Sequence, residues 1–352
     1  MIKMTPQKII NLSLGSTFLA TGGGFPLDIK LKKLQELSQT KNLYLVDAAD
    51  IPPNTLACAI SGIGSAGEIP QQDMVNILKK GLQILSNHLN QKIAALVAGE
   101  LGIENIIWEI ASLIDLPVLD ADTAGRRAVP EMIQDTFFIA GESILPVVII
   151  DMEGQHRLIT KSGQDFLVEK IARKMAIDSP SHTAFIFSHV RPVHKLQKII
   201  ALNSLSTAIQ TGKILATKNQ IIIDEKIKQL LGGALKLQGV VKTKIMQNTK
   251  GFLVNKIILE AESANWEIII KNEVLAILKN QQFVAGIPDS LCLLDKDFLP
   301  VHSSQIKIGQ ELKIYEIPAI QQWKTERGFN LFGPGYVNNL LRHTNQARSK
   351  II

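Results

Sequence analysis

Between residues 43 and 119, short apolar runs alternate with stretches of helical period, and no other feature restricts the fold of this chain so much. Leu43–Val46 and Leu56–Ile60 are brief and continuously apolar, so they read as buried strands. A helix follows over 70–89, with Met74, Ile77, Leu78, Leu82 and Leu85 on one face. A strand at Ile93–Ala98, a helix at 104–114 and a strand at Pro117–Leu119 complete a β-α-β-α-β order. That order predicts an α/β domain whose mainly parallel sheet carries helices on its faces. Ligands of such sheets bind beyond the carboxyl ends of the strands, which directs attention to Ser61–Gly67, Gly99–Asn105 and Asp120–Glu131.

Upstream, Thr5-Pro6 has the form of an N-cap followed by proline at the first helical position, and an apolar helix runs from there towards Gly15. Thr21-Gly22-Gly23-Gly24 then forms a glycine loop, and Pro26 opens a second helix through Leu27, Leu31, Leu34 and Leu37. The second half has a different texture. Helices near 164–176, 203–217 and 224–231 lead into runs at 240–246, 251–259, 266–270, 273–278 and 311–317 that alternate or stay apolar between turn residues. With 352 residues the chain has room for two domains. The expected division is an N-terminal α/β domain over 1–162 and an α+β domain over 163–352, with a mostly antiparallel β-rich part at about 234–325.

Composition removes several function classes. The net charge of +6 is spread along the chain and only 5% of residues are aromatic, so no basic, base-stacking surface for nucleic acid is expected. No apolar run approaches the ~20 residues needed to span a bilayer, and the chain reads as a cytoplasmic protein without a membrane partner. Cys58 and Cys292 each sit in an apolar stretch, which excludes a disulfide framework and a cysteine zinc site. His189 and His194 suggest a metal pair, but Pro192 between them removes the helix that would bring two imidazoles together. Ser61-Gly62-Ile63-Gly64-Ser65 has isoleucine where a nucleophile elbow needs serine.

Four segments remain as candidates for chemistry. Gly22, Gly23 and Gly24 let backbone N–H groups approach an anionic or enolate-like group, although neither the dinucleotide nor the P-loop pattern is met and a plain turn is the alternative. Asp120 and Asp122 lie two residues apart on an extended segment, with one expected to face a given site while the other holds the loop; Glu131 adds a third carboxylate and Arg126 a cation able to hold a carboxylate or ring carbonyl. A solvated loop of ion pairs is the plainer explanation. Glu100 follows the strand Ile93–Ala98 and can meet the Asp120 loop, whereas Glu104 reads as a first-turn acid on a helix dipole. Asn272-Glu273, between two apolar runs, reads as a tight turn.

The order of these motifs resembles the S-methyl thiohydantoin desulfurases, a family first grouped as a domain of unknown function beside hydantoinase/oxoprolinase genes. The resemblance lies in Leu19–Gly24, in Glu100-Leu101-Gly102 with Asn105, and in Leu116–Asp122 with Gly125-Arg126 and Val129–Glu131. It continues through Gly251-Phe252, Lys271-Asn272-Glu273, Ile287-Pro288-Asp289 and Gly333-Pro334. Phe25 directly before Pro26, and Ile103 at a common glycine position, depart from the family pattern and make the expected site more apolar.

The resemblance implies a two-domain protein that directs water against a C–S or C–N bond of a thiohydantoin- or hydantoin-like ring. Asp120, Asp122, Glu100 and Glu131 are then the candidate catalytic carboxylates. Gly22, Gly23, Gly24, Arg126, Asn105, Asn272 and Glu273 are the candidate substrate contacts, with Glu273 expected to reach the interdomain cleft near the glycine loop or Arg126. No cofactor is implied, and a divalent metal among the carboxylates stays open, as does self-association. The competing expectation is a non-catalytic ligand-binding subunit of a hydantoinase/oxoprolinase-type complex.

Overall fold

The computed structural model describes residues 1–64, 74–161, 163–249 and 252–348; Ser65–Gly67, Ser162 and Gly251 lie outside them. The first sheet comprises β1 (Ile2–Lys3), β2 (Tyr44–Val46), β3 (Leu56–Gly64), β4 (Ile93–Ala98), β5 (Val118–Asp122), β6 (Val147–Asp151), β7 (His156–Ile159), β8 (Thr183–Pro192) and β9 (Ala201–Leu202). Its strand order is β1-β2-β5-β4-β3-β8-β6-β7, with β9 beside β5. The run β2-β5-β4-β3 is parallel, as the β-α-β alternation predicts, and every strand added outside it is antiparallel.

Helices cover both faces because the central strands are apolar on both sides. Helices Met74–Leu89 and Glu104–Ile114 pack with Pro6–Leu19 over one face. The other face buries Phe137, Val168, Ala172 and Leu196. The first helix is capped by Thr5, whose hydroxyl accepts the Lys8 N–H at 3.3 Å. It runs past Gly15, where a stop is expected, to Leu19, because Gly15 is a point of helix contact and not a terminus. A Cβ there would lie 2.8 Å from the Gly212 nitrogen of helix Ser204–Leu215.

The second sheet is antiparallel throughout: β10 (Ala234–Thr249), β11 (Phe252–Ala261), β12 (Ala264–Lys271), β13 (Glu273–Lys279), β14 (Gln282–Gly286), β15 (Ser290–Asp295) and β16 (Glu311–Ile317). In the order β14-β13-β12-β11-β10-β16-β15 it curls until β13 meets β15, around a core that includes Val241, Ile257, Ile277, Leu291 and Ile314. Two C-terminal helices, Glu326–Phe332 and Pro334–Arg348, close its outer side through Trp323, Phe332 and Val337.

Sheet membership does not stop at the boundary expected near Ser162-Gly163. Both β8 and β9 lie beyond it in sequence and belong to the first sheet. The two sheets are also stitched directly. The Val274 N–H donates to the Thr21 carbonyl at 2.8 Å and the Ser303 N–H to the Gly22 carbonyl at 2.9 Å. Among the described residues no helix is long and apolar enough to cross a membrane.

Candidate functional site

The glycine loop begins where the first helix ends, because Thr21, Gly22 and Gly24 have φ of 54°, 90° and 72°, a run that no helix continues. Gly24 needs its glycine twice over: besides the positive φ, a Cβ would lie 2.6 Å from the Gly102 Cα. The Phe25 N–H donates to the Gly102 carbonyl at 2.9 Å, which locks this loop to the one after β4. The Gly23 N–H is given to the Ala20 carbonyl at 2.8 Å and so is not a donor to a ligand.

A cavity of about 500 Å³ opens between this loop, the carboxyl ends of β3 and β4, and the second domain. Of the residues expected at a site, it is lined by Gly23, Gly24, Glu100, Asn272 and Glu273. Glu273 enters at the start of β13 with its carboxyl group packed on Gly23; a Cβ on that glycine would sit 2.8 Å from the Glu273 Cγ. Glu273 is buried, and among the described residues its Oε2 has no hydrogen-bond partner. Burial, reinforced by the neighbouring Glu100, raises its pKa well above the carboxylate range. Glu100 is half-buried and accepts the Val129 N–H at 3.0 Å; desolvation, with smaller contributions from Asp122 and Glu104, pushes its pKa up to about 8.

The remaining expected residues have other partners. Asp120 is buried and its Oδ1 accepts the Leu205 and Ser206 N–H groups, each at 2.9 Å, at the start of helix Ser204–Leu215. Asp122 holds its own loop, accepting from Gly125 at 2.7 Å and Arg126 at 2.9 Å, and burial raises its pKa to about 7. Neither lines the cavity. Residues two apart on a strand share a face, and here both aspartates are engaged by backbone N–H groups instead of one facing a site while the other holds the loop.

Glu131 accepts from Lys271 and from the Tyr336 hydroxyl at 2.5 Å, joining the loop after β5 to β12 and the last helix. Arg126, with φ 68°, turns away from the cavity and reaches the Leu202 carbonyl at 3.5 Å. Arg127 goes inward instead: it is fully buried, donates to the Pro288 carbonyl at 2.5 Å, lies 4.7 Å over the Phe332 ring and acts electrostatically on Glu273. Gly22 supports the loop through Ser303, and Asn105 lies in helix Glu104–Ile114 with its side chain outside the described residues.

Three lining groups were not legible as site residues. His302 donates from Nε2 to the Gly24 carbonyl at 3.1 Å, which leaves Nδ1 as an acceptor facing Ser304; burial lowers its pKa and keeps it neutral. His189, buried with φ 58°, places Nε2 3.3 Å from Asp135 Oδ2 and Nδ1 2.7 Å from Ser188 Oγ. Asp135 also caps helix Thr136–Ala140 by accepting the Phe137 N–H at 2.7 Å. His194, the other member of the suspected pair, is half-buried and bonds the Pro53 carbonyl. Among the described residues no group of three or more His, Cys, Asp or Glu side chains is arranged to hold a metal ion.

These placements give a direct test of Asp120. Asp120→Asn is expected to keep turnover within about twofold while lowering the melting temperature, since a helix-terminal acceptor contributes about 1 kcal/mol. A loss of turnover by ~10²-fold, measured beside circular dichroism melts, would return Asp120 to the mechanism.

Residues 7–161 match the family described as S-Me-THD-like, N-terminal domain, and residues 163–340 match S-Me-THD-like, C-terminal domain. Among solved structures, an X-ray crystal structure of a protein from Chromobacterium violaceum is similar over 96% of this chain and 97% of that one, with a TM-score of 0.78 at 16% identity. That likeness concerns the fold. No curated protein matches the chain.

Proposed function

The chain belongs to the S-methyl thiohydantoin desulfurase family, whose S-Me-THD-like N- and C-terminal domains it carries in order, and on that premise we propose that it hydrolyses the C–S bond of an S-methyl thiohydantoin-like ring in the interdomain cavity. The observation that carries this reading is the pairing of Glu100 and Glu273 in one cavity, each with its pKa raised and one influenced by the other. Two carboxyl groups in such an environment do not ionise together near neutral pH, so one keeps a proton while the other acts as a base.

Glu100 is the base in this reading and Glu273 the acid. Glu273 gives a proton to the ring nitrogen, which makes the sulfur-bearing carbon more electrophilic. Glu100 takes a proton from water as its oxygen bonds that carbon. Collapse of the tetrahedral adduct breaks the C–S bond and the hydroxyl proton returns to Glu273. The thiolate leaves with the proton held on Glu100. One water is consumed, and a hydantoin and methanethiol are formed. A cavity of about 500 Å³ is in the range that takes a small ring with a substituent.

The purified chain should release thiol from an S-methyl thiohydantoin, read with a thiol-reactive dye and by mass of the hydantoin formed. Release only after hydantoinase- or oxoprolinase-type proteins are added would favour the binding-subunit alternative. The pH dependence follows from the same assignment. Below about 8 Glu100 is protonated and cannot act as base, so kcat/KM should fall about tenfold per pH unit on the acid side. At higher pH it should decline again as Glu273 loses its proton. A profile flat from pH 5 to pH 9 would remove this pair from the mechanism.

A further inference from the structure

Among the described residues, the lining of the cavity that holds the carboxyl pair has a polar part and an apolar part. Beside Glu100 and Glu273 stand polar groups, Asn272, His302 and Ser303, close to the glycine loop. Phe25, Ile103, Ile106 and Phe185 line it as well and pack in the core on one face of the first sheet, whereas Ile63 packs on the other face. Ile106 and Phe185 are neighbours. A Cβ built on Gly62 would lie 3.4 Å from Ile106 Cδ1 and 4.0 Å from Phe185 Cδ1, so this glycine leaves open floor between them. Phe25 is held beside Ile103 by its N–H bond to the Gly102 carbonyl, and Ile106 follows Ile103 by about one helical turn.

Charge on the lining points the same way. Arg173 is the one Lys or Arg among the described lining residues, and its guanidinium is bound to Glu169 at 2.7 Å and to the Pro130 carbonyl at 3.0 Å. A carboxylate on the ligand would therefore meet Glu100, Glu273 and Asp135, and among the described lining residues no Lys or Arg is left to receive it. An ammonium group would lose water against Phe25 and the isoleucines and gain no acceptor there. Of the acidic lining groups, Asp135 already accepts the Phe137 N–H at 2.7 Å, with His189 Nε2 3.3 Å from its other oxygen.

Resting on the proposed desulfurase reading, we infer that the ring carries an uncharged, apolar substituent on its saturated carbon, seated against Phe25, Ile106 and Phe185 while the reacting carbon faces Glu100 and Glu273. The enzyme is then selective for rings of the kind formed from aliphatic or aromatic amino acids.

The test compares four S-methyl thiohydantoins, substituted with isobutyl, benzyl, carboxyethyl or aminobutyl, and the four matching hydantoins as non-reacting ligands in calorimetric titration. Isobutyl and benzyl rings should exceed both charged rings by at least about 30-fold in kcat/KM, and their hydantoins should bind more tightly in the same order. Phe25→Ser should cut the benzyl-over-carboxyethyl preference by about fivefold or more, with Ile106→Ala as a second variant should the first fail to fold. Apolar preference in binding without any thiol release would uphold this inference and end the desulfurase reading. Equal or better use of a charged ring, binding of none of the hydantoins, or an unchanged preference in the folded variants would overturn it.

Discussion

Replacing Glu273 by glutamine is expected to lower kcat/KM for thiol release by about 10²- to 10³-fold, because the amide keeps the volume but has no proton to transfer. Stability should hold or rise. The carboxyl group is buried against Gly23 and keeps a high pKa, and a neutral amide of the same shape is easier to leave in that place than an acid that must ionise as pH rises. The linkage has a definite sign: a carboxyl whose pKa is raised on folding stabilises most below its unfolded value and loses that contribution as pH climbs through the folded one. Wild type should thus lose more stability than E273Q between pH 5 and pH 9, read by thermal melts at each pH. Turnover that survives the substitution would move the chemistry away from the domain junction.

Lys30→Met is expected to produce the largest loss of stability, about 3–5 kcal/mol by chemical denaturation, since it leaves a buried carboxylate without its counter-charge. Lys30 is fully buried, with Nζ 2.7 Å from Ser16 Oγ and 3.4 Å from Glu104 Oε2, and Glu104 is itself buried. Burial lowers the lysine pKa and Glu104 opposes that shift. The pair also supports the site: Glu104 Oε1 accepts the Gly102 N–H at 3.0 Å, and the Gly102 carbonyl holds Phe25. Adding Glu104→Gln to Lys30→Met removes the stranded charge and keeps an acceptor for Gly102, so the double variant should recover most of the loss. Strictly additive losses would show that the two residues are not coupled.

The readable and unreadable parts of this molecule separate along physical lines. The strands and helices from 56 to 119 follow from hydrophobic period alone, and β4 runs from Ile93 to Ala98 as that period predicts. Strand β8 was missed because its apolar run, Ala184–Phe187, is followed at once by Ser188 and His189, and Pro192 suggests a break; with it went His189. In the loop after β5, the side that an arginine takes depends on a positive φ at Arg126, which no residue pattern announces. Asp120 and Asp122 were conspicuous as a motif, yet acidic side chains after a strand serve helix termini and loop N–H groups as readily as they serve substrates. Glu104 seemed a simple first-turn acid because its partner, Lys30, lies in a different helix. Glu273 was expected near the glycine loop and is there, packed on Gly23.

The position of β8 also bears on how the protein is made. Within the first sheet, the hairpin of β6 and β7 is joined to the parallel strands only through β8, which pairs with β3 on one edge and β6 on the other. A chain still emerging from the ribosome with about its first 160 residues exposed would present two unfinished sheet edges, each an apolar strand with open N–H and C=O groups. Closure waits for residues 183–192, so the N-terminal half is most open to mispairing with another nascent chain during the interval in which the helix Val168–Asp178 is being synthesised.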